Sequence, residues 1–341
     1  MNKTSSLGGK SVNRIGFGAM QLAGPGVFGA PSDPEGARAV LRRAVELGVD
    51  HIDTSQFYGP NVVNELIREA LYPYPENLKI ATKVGGRRDD AGGWLPAQSP
   101  TELRSGVEDN LRTLQLERID LVNLRLFDEH DAEGRLAEQL GALEDLRQEG
   151  KLDLIGISNA SADTVSRTLE LVDIACVQNA YSLVNRAAED GLMLCEEHEL
   201  SFVPFFPLGS AFAGGPRQLA ADPAIAEVAE RRQVTPTQIA LAWLLHRSAR
   251  ILLIPGTSSI QHLEENIAAG DINLDEQDMQ RLEIAIQLGD PMAAEHHQMS
   301  SSTSSGGVGD QGAAWWVEVV IEGDGRGEGE QSAGDPGSEA V

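Results

Sequence analysis

The chain has 341 residues and a formal net charge of −25, with 27 Lys and Arg against 52 Asp and Glu. So acidic a surface repels nucleic-acid backbones and anionic membranes, which argues against both as partners. A hydrophobic fraction of 41%, with no apolar run near the roughly 18 residues of a membrane span, describes a globular chain with room for an α/β barrel of about 250 residues. Cys176 and Cys195 are the only cysteines, so neither a disulfide framework nor a metal site is expected. The opening MNKTSSLGGKSVNRIG has no apolar segment of the kind a secretory signal needs, and the expected location is the cytoplasm.

Along the chain, short β-branched or apolar runs alternate with longer amphipathic ones. A strand is expected at Arg14–Met20 and a helix over Pro34–Leu47; His51–Ser55 then precedes Val62–Leu71, and Leu78–Val84 precedes Pro100–Leu114. Ile119–Arg125 pairs with Ala132–Gln148, Leu154–Asn159 with Ala162–Leu171, and Ala175–Tyr181 with Ala187–His198. Ser201–Pro207 is followed by a Gly-rich stretch, Leu208–Asp222, and a helix over Pro236–His246; Ile251–Gly256 leads into Ile260–Ala269. Ser99 before Pro100 with Glu102, and Thr235 before Pro236, are sound helix starts. Eight strand-helix repeats in one chain imply a single-domain α/β fold, a (β/α)8 TIM barrel over residues 1–286.

Two stretches break the rhythm. Leu208–Asp222 is longer than most barrel loops and is either an active-site flap or an insertion. Past a last helical pattern at Asp275–Ile286, residues 287–341 hold ten acidic residues against Arg326 in a Gly- and Ser-rich context, a low-complexity acidic tail expected to be disordered. Trp315–Ile321 is an apolar island within it that either docks or is simply sticky.

Gly24-Pro25-Gly26-Val27-Phe28-Gly29 matches the G-x-G-x-x-G dinucleotide fingerprint. That fingerprint needs its third glycine in the first turn of a helix, so that the amides and helix dipole meet a pyrophosphate. Ala30-Pro31-Ser32-Asp33 delays the helix to about Pro34, so the glycines read as a loop at the C-terminal end of a barrel strand.

Asp53 lies near the end of the second strand, Tyr58 five residues later, and Lys83 at the end of the third. In a barrel those strand ends converge on one mouth. A lysine on an apolar strand needs a counter-charge, which Asp53 supplies. An adjacent ammonium stabilises a phenolate and brings the pKa of Tyr58, ordinarily near 10, closer to working range, so that Tyr58 can protonate a carbonyl oxygen. Separately, each residue also reads as a turn, a packed loop or a structural ion pair.

His51 through Gly59 resembles the second-strand motif of the aldo-keto reductases, and Ala81-Thr82-Lys83 their third. Gly156-Ile157-Ser158-Asn159, Gln178-Asn179-Ala180-Tyr181-Ser182, Phe206-Pro207-Leu208 and Ile254 through Ser259 with Glu265-Asn266 continue the likeness, from about residue 11 to 286. The resemblance implies NADPH-dependent reduction of a small carbonyl substrate, with Asp53, Tyr58 and Lys83 catalytic and Arg125 standing at the fourth catalytic position. It implies that Ser158, Asn159 and Gln178 hold the nicotinamide amide and that Tyr181 stacks on its ring, beside Pro207, Leu208 and Gly209. Ser158 and Asn159 also read as caps of the next helix. Pro255, Gly256, Thr257, Ser258, Ser259, His262, Glu265 and Asn266 fall at the adenosine-phosphate site; the basic side chains of NADPH-preferring members are missing there, so NADPH is favoured over NADH only by hydroxyls, helix amides and His262.

Arg125 departs from the family pattern, which commonly has His there. A guanidinium offers several donors and a permanent charge, suited to polarising a carbonyl, lowering the Tyr58 pKa or gripping an anionic substrate; pairing with Asp53 or another acid is the structural alternative. Gly18 through Gly29, Val122-Asn123-Leu124-Arg125 and Ser258-Ser259 with His262-Leu263 are most similar to the bacterial pyridoxal reductases of that family, which implies pyridoxal and pyridoxine as the substrate pair. A monomer or small homo-oligomer is expected. The second reading is a cofactor-binding regulatory subunit with little turnover, against which the retained Asp53, Tyr58 and Lys83 speak.

Overall fold

The computed structural model describes residues 2–127, 135–209 and 215–289. All of them fall in one compact unit. It begins with a hairpin that the strand count passed over. β1 (Thr4–Leu7) and β2 (Lys10–Asn13) pair antiparallel across Gly8-Gly9, both at positive φ. Their apolar residues Leu7 and Val12 are buried against Ala81, Leu121, Leu252 and Ile254, and Lys10 pairs with Asp153. The hairpin thus plugs the N-terminal end of the barrel.

Seven parallel strands follow in chain order around the sheet: β3 (Phe17–Gly18), β4 (His51–Asp53), β5 (Lys79–Val84), then β8 (Ile119–Arg125), β9 (Leu152–Ser158), β10 (Cys176–Gln178) and β11 (Ser201–Phe202). Between β5 and β8 a second hairpin, β6 (Gly86–Arg88) with β7 (Trp94–Pro96), rises from the mouth. The eighth expected strand is present as two bridges, Phe202 to Ile251 and Ile15 to Leu253. Leu252 N donates to Phe202 O at 2.9 Å, Leu253 N to Arg14 O at 2.8 Å and Gly16 N to Leu253 O at 2.8 Å, so this segment closes the ring between β11 and β3.

The helices begin where capping chemistry dictates. They are α1 (Pro34–Glu46), α2 (Val62–Leu71), α3 (Pro100–Leu114), α4 (Arg135–Gln148), α5 (Ala162–Leu171), α6 (Glu189–Glu197), α7 (Gly215–Ala221), α8 (Pro223–Arg232), α9 (Pro236–Arg247), α10 (Ile260–Ala268) and α11 (Glu276–Gly289). Asp33 caps α1 through Gly36 N, so the α-helix starts only at Pro34, and the glycine stretch before it holds just a short 3-10 turn, Pro25–Val27. Ser99 with Glu102 and Thr235 with Gln238 form capping boxes on α3 and α9. The stretch Leu208–Asp222 contains α7, and α8 follows it behind an Asp222 cap. α11 continues to Gly289, three residues into the stretch expected as a disordered tail from 287. Residues 128–134, which include the start of the expected helix Ala132–Gln148, residues 210–214, the rest of the tail from 290 and the Trp315–Ile321 island lie outside the described residues. Among the described residues no helix is long and apolar enough to cross a membrane.

The pleat sorts the strand side chains by parity. On β8, Val122 and Leu124 face outward into the layer shared with the helices, whereas Leu121 packs in the small interior cluster. The same alternation sends Asn123 and Arg125 inward, so polar groups accumulate at the C-terminal end of the barrel.

Candidate active site

β4 and β5 run side by side with Asp53 opposite Ala81. Asp53 and Lys83 project inward and are each only 4% exposed. Lys83 Nζ donates to Asp53 Oδ1 and, at 3.3 Å, to Thr54 O. Tyr58, on the loop after β4, is buried, and the Lys83 ammonium lies 5.1 Å from its ring centre. The expected convergence of the three is therefore present.

Their electrostatics refine that expectation. Burial works against the Lys83 charge, but Asp53 and Tyr58 outweigh it and raise its pKa above the ordinary lysine value. Burial likewise raises the Tyr58 phenol, with Asp53 adding to it; Lys83 and Arg125 pull it down without cancelling the rise. The influence of Lys83 has the expected sign, but burial outweighs it and leaves the phenol above its ordinary value, not nearer neutrality. Tyr58 consequently carries its proton at pH 7, the form a donor needs.

Arg125 ends β8 opposite Ser158. Its Nη1 donates to Ser158 Oγ at 3.2 Å, and its guanidinium lies 4.7 Å from the Phe205 ring centre. Burial lowers its pKa to about 10, so it remains a cation at neutral pH. Asp53 gives its second oxygen to Gln178: Nε2 donates to Oδ2 at 2.9 Å. That bond fixes which way the Gln178 amide faces. Its Oε1 is buried with no hydrogen-bond partner among the described residues.

Gln178 and Ser158 are register neighbours on β10 and β9. Asn159 follows in a left-handed turn at φ 60° and donates from Nδ2 to Leu126 O at 2.9 Å. Ser161 caps α5, so Ser158 and Asn159 are not the caps they also resembled. An orphan buried acceptor beside a hydroxyl suits a ligand with an N–H2 group, which a nicotinamide carboxamide carries.

Tyr181 does not belong to this mouth. Counting from the inward Gln178, Ala180 faces in and Tyr181 faces out. The Tyr181 ring is 1% exposed, edge-on to Phe202 and stacked over Trp243, and its hydroxyl donates to Glu189 at 2.5 Å. A second aromatic ring at the mouth, besides Tyr58, is Phe205, half-buried, bridged to Ala180 and beneath Arg125. Its position at the C-terminal end of the seventh apolar run was the available signal. Pro207, Leu208 and Gly209 follow in a turn closed by Gly209 N to Phe206 O at 2.9 Å.

A second polar patch lies where the chain closes the barrel. Pro255 is buried, and a Cβ on Gly256 would stand 2.6 Å from Gly18 O, so no side chain fits at 256. Thr257 Oγ1 accepts from Ser259 N at 3.0 Å, and Ser259 caps α10 through His262 N at 3.4 Å. Ser258 and His262 are exposed, Asn266 is buried one turn on, and Glu265 accepts from Gln261 at 2.9 Å. Hydroxyls and the first amides of α10 suit an anion here. Ser258 also edges a cavity of about 400 Å³ lined by Met20 through Val27, Ser32, Asp33 and Gly36. Arg88 of β6 holds one wall of it, donating to Val27 O at 2.8 Å and Gly26 O at 3.0 Å while lying 3.9 Å from the Trp94 ring centre.

A parallel barrel whose mouth gathers a phenol, an ammonium–carboxylate pair and a guanidinium is the arrangement of an oxidoreductase acting on carbonyls, and the sequence pattern of the Aldo/keto reductase family matches residues 14–287; the chain belongs to that family. It is 49% identical to pyridoxine 4-dehydrogenase of Escherichia coli (strain K12), over 83% of this chain and 98% of that protein. A probable aldo-keto reductase 1 of Glycine max is 33% identical over 83% of this chain and 88% of its own length. Among solved structures, an aldo-keto reductase of Klebsiella pneumoniae in complex with NADPH superposes with a TM-score of 0.69 at 28% identity, covering 83% of this chain and 95% of that one.

Proposed function

We propose that this chain reduces an aldehyde or ketone to the alcohol with NADPH, reversibly, and that pyridoxal and pyridoxine are its substrate pair. The observation that carries the reading is the buried Lys83–Asp53 pair under Tyr58, which serves no apolar core and has a direct use in proton transfer. The name of the Escherichia coli relative supports the substrate, and the Klebsiella pneumoniae complex supports the cofactor.

On this reading Gln178 Oε1, Ser158 and Asn159 hold the carboxamide, and Phe205 supplies the flat apolar wall assigned in the sequence to Tyr181. Thr257, Ser258, Ser259 and His262 meet the phosphate of the adenosine half, beside Pro255, Gly256, Glu265 and Asn266; Pro207, Leu208 and Gly209 border the middle. Bound NADPH supplies the hydride. Tyr58 gives its proton to the carbonyl oxygen, and Lys83, held charged by Asp53, stabilises the phenolate left behind. Arg125 adds a second donor beside that oxygen. The two buried thiols suit a reducing cytoplasm, and the enzyme acts there as a monomer or small homo-oligomer.

Steady-state kinetics with NADPH and NADH on pyridoxal, methylglyoxal and nitrobenzaldehyde test the reading. Turnover with NADPH, greatest kcat/KM on pyridoxal, is the expected result. Tight NADPH binding with no turnover on any aldehyde would replace it with the regulatory one.

A further inference from the structure

Behind the strands that carry Asp53 and Lys83, the interface with α2 and α3 contains a knot of amides where a sheet and its helices ordinarily meet through aliphatic groups. Asn64 on α2 and Asn110 on α3 are both 0% exposed. Asn110 Oδ1 accepts from Asn64 Nδ2 at 2.8 Å and from Thr82 Oγ1 at 2.6 Å. Its Nδ2 donates to Gln56 Oε1 at 2.9 Å and Gly106 O at 2.7 Å, which satisfies all four of its hydrogen-bonding positions. Asn64 Oδ1 accepts from Thr54 Oγ1 at 2.8 Å. A Cβ on Gly106 would stand 3.2 Å from Gln56 Nε2, so the bare helix surface there leaves room for the Gln56 amide.

The attachment points of this knot follow one rule. Thr54 adjoins Asp53, Thr82 adjoins Lys83, and Gln56 stands two residues before Tyr58, whose N–H closes the loop onto Ser55 O at 3.1 Å. Asp53 and Lys83 each enter the barrel beside a threonine tied to Asn64 or Asn110, and the loop that carries Tyr58 is tied to Asn110 through Gln56, whereas Arg125 is flanked by the aliphatic Leu124 and Leu126. Burying amides in an apolar layer is unfavourable unless every one is satisfied, and a satisfied network gains little over aliphatic packing. What it adds is a fixed geometry.

We propose that Asn110, acting with Asn64 through Thr54, Gln56 and Thr82, is a positioning residue that sets where Tyr58 stands relative to Lys83. The proposal rests on the reading of Tyr58 as the proton donor. A displacement of about 1 Å at a reacting group costs up to about a hundredfold in rate, so a remote amide has a measurable effect.

Gln56→Met cuts the tie on the loop side and leaves the two asparagines paired; Asn110→Leu removes the hub. In both, kcat with NADPH and pyridoxal should fall by about tenfold to a hundredfold. NADPH affinity, which the network does not touch, should stay within about threefold, and the solvent deuterium isotope effect on kcat should rise as proton delivery becomes limiting. If Asn110→Leu does not fold, Gln56→Met decides. An unchanged kcat in folded protein with a lowered Tm overturns the proposal, as does a loss of affinity in step with kcat. A crystal structure of Gln56→Met supplies a readout independent of turnover. Tyr58 shifted from Lys83 supports the proposal and an unmoved Tyr58 overturns it, whereas absence of wild-type turnover sinks the proposed function and leaves that structural outcome to decide the positioning role.

Discussion

Gln178 and Asp53 share a hydrogen bond inside the barrel, Nε2 to Oδ2 at 2.9 Å, that joins the proposed carboxamide site to the proton relay. Asp53 raises the Tyr58 pKa, and a hydrogen bond donated to a carboxylate offsets part of its charge. Gln178→Met should therefore do two things. NADPH binding should weaken by about tenfold, the worth of one buried hydrogen bond, and the alkaline limb of the kcat profile should move to higher pH. Fluorescence titration of NADPH and a pH series measure them separately; a weakened affinity with an unmoved limb would mean that Gln178 serves the cofactor alone.

The pH dependence has a definite sign. Reduction needs a protonated Tyr58, whose pKa burial raises above the ordinary phenol value, so reductive kcat should stay level through neutrality and fall only as pH climbs through that raised value. The reverse oxidation needs the phenolate and should speed up over the same range. Lys83→Met removes the largest downward influence on the phenol, so it should carry the limb further up while lowering kcat by about 10²–10⁴. A limb that moves down in Lys83→Met would contradict the assignment.

Arg125 stands over Phe205 and against Ser158 with its charge intact at neutral pH. If it grips the acidic ring hydroxyl of pyridoxal, Arg125→Leu should lower kcat/KM on pyridoxal by at least about tenfold more than on an analogue without that hydroxyl. An equal loss on both substrates would restrict Arg125 to the reacting oxygen.

Asp278 anchors the last described helix. It is fully buried, accepts from Arg231 and from Arg232 Nε at 2.7 Å, and holds Asp275 N at 3.0 Å. Burial opposes its charge, but these donors outweigh it and depress its pKa below the ordinary 3.8. A depressed carboxylate stabilises the fold above its unfolded pKa, and that contribution is lost as pH falls through the folded value. Asp278→Asn should cost about 1–3 kcal/mol near neutrality, read as a Tm lower by several degrees, and the difference from wild type should shrink below about pH 4. A constant difference down to pH 2 would place the effect in packing, not charge.

The barrel was legible because period and punctuation agree: Val62–Leu71, Pro100–Leu114 and Ala162–Leu171 are helices over the expected residues. Asp53 and Lys83 were legible because opposite charges on neighbouring apolar strands are costly to bury and must pair. Tyr181 was misread because its strand has only three residues, too few for periodicity to override motif likeness; counting parity from Gln178 turns it outward. Two local signals were present and unused. Gly8-Gly9 between short alternating runs marks the plug hairpin, and Asp222-Pro223 marks the start of α8. Asn64 and Asn110 are different in kind, since an asparagine in an amphipathic helix reads as surface, and only the tertiary fold reveals that it is buried behind the candidate active site.

If Tyr58 donates the proton in an NADPH-dependent carbonyl reduction, Tyr58→Phe removes that donor and little else. Measured side by side with wild type on pyridoxal, kcat should fall by about 10²–10⁴ while the NADPH dissociation constant stays within about threefold, because the lost hydroxyl belongs to proton delivery and not to cofactor binding. A Tyr58→Phe enzyme that keeps wild-type kcat would rule out Tyr58 as the proton donor.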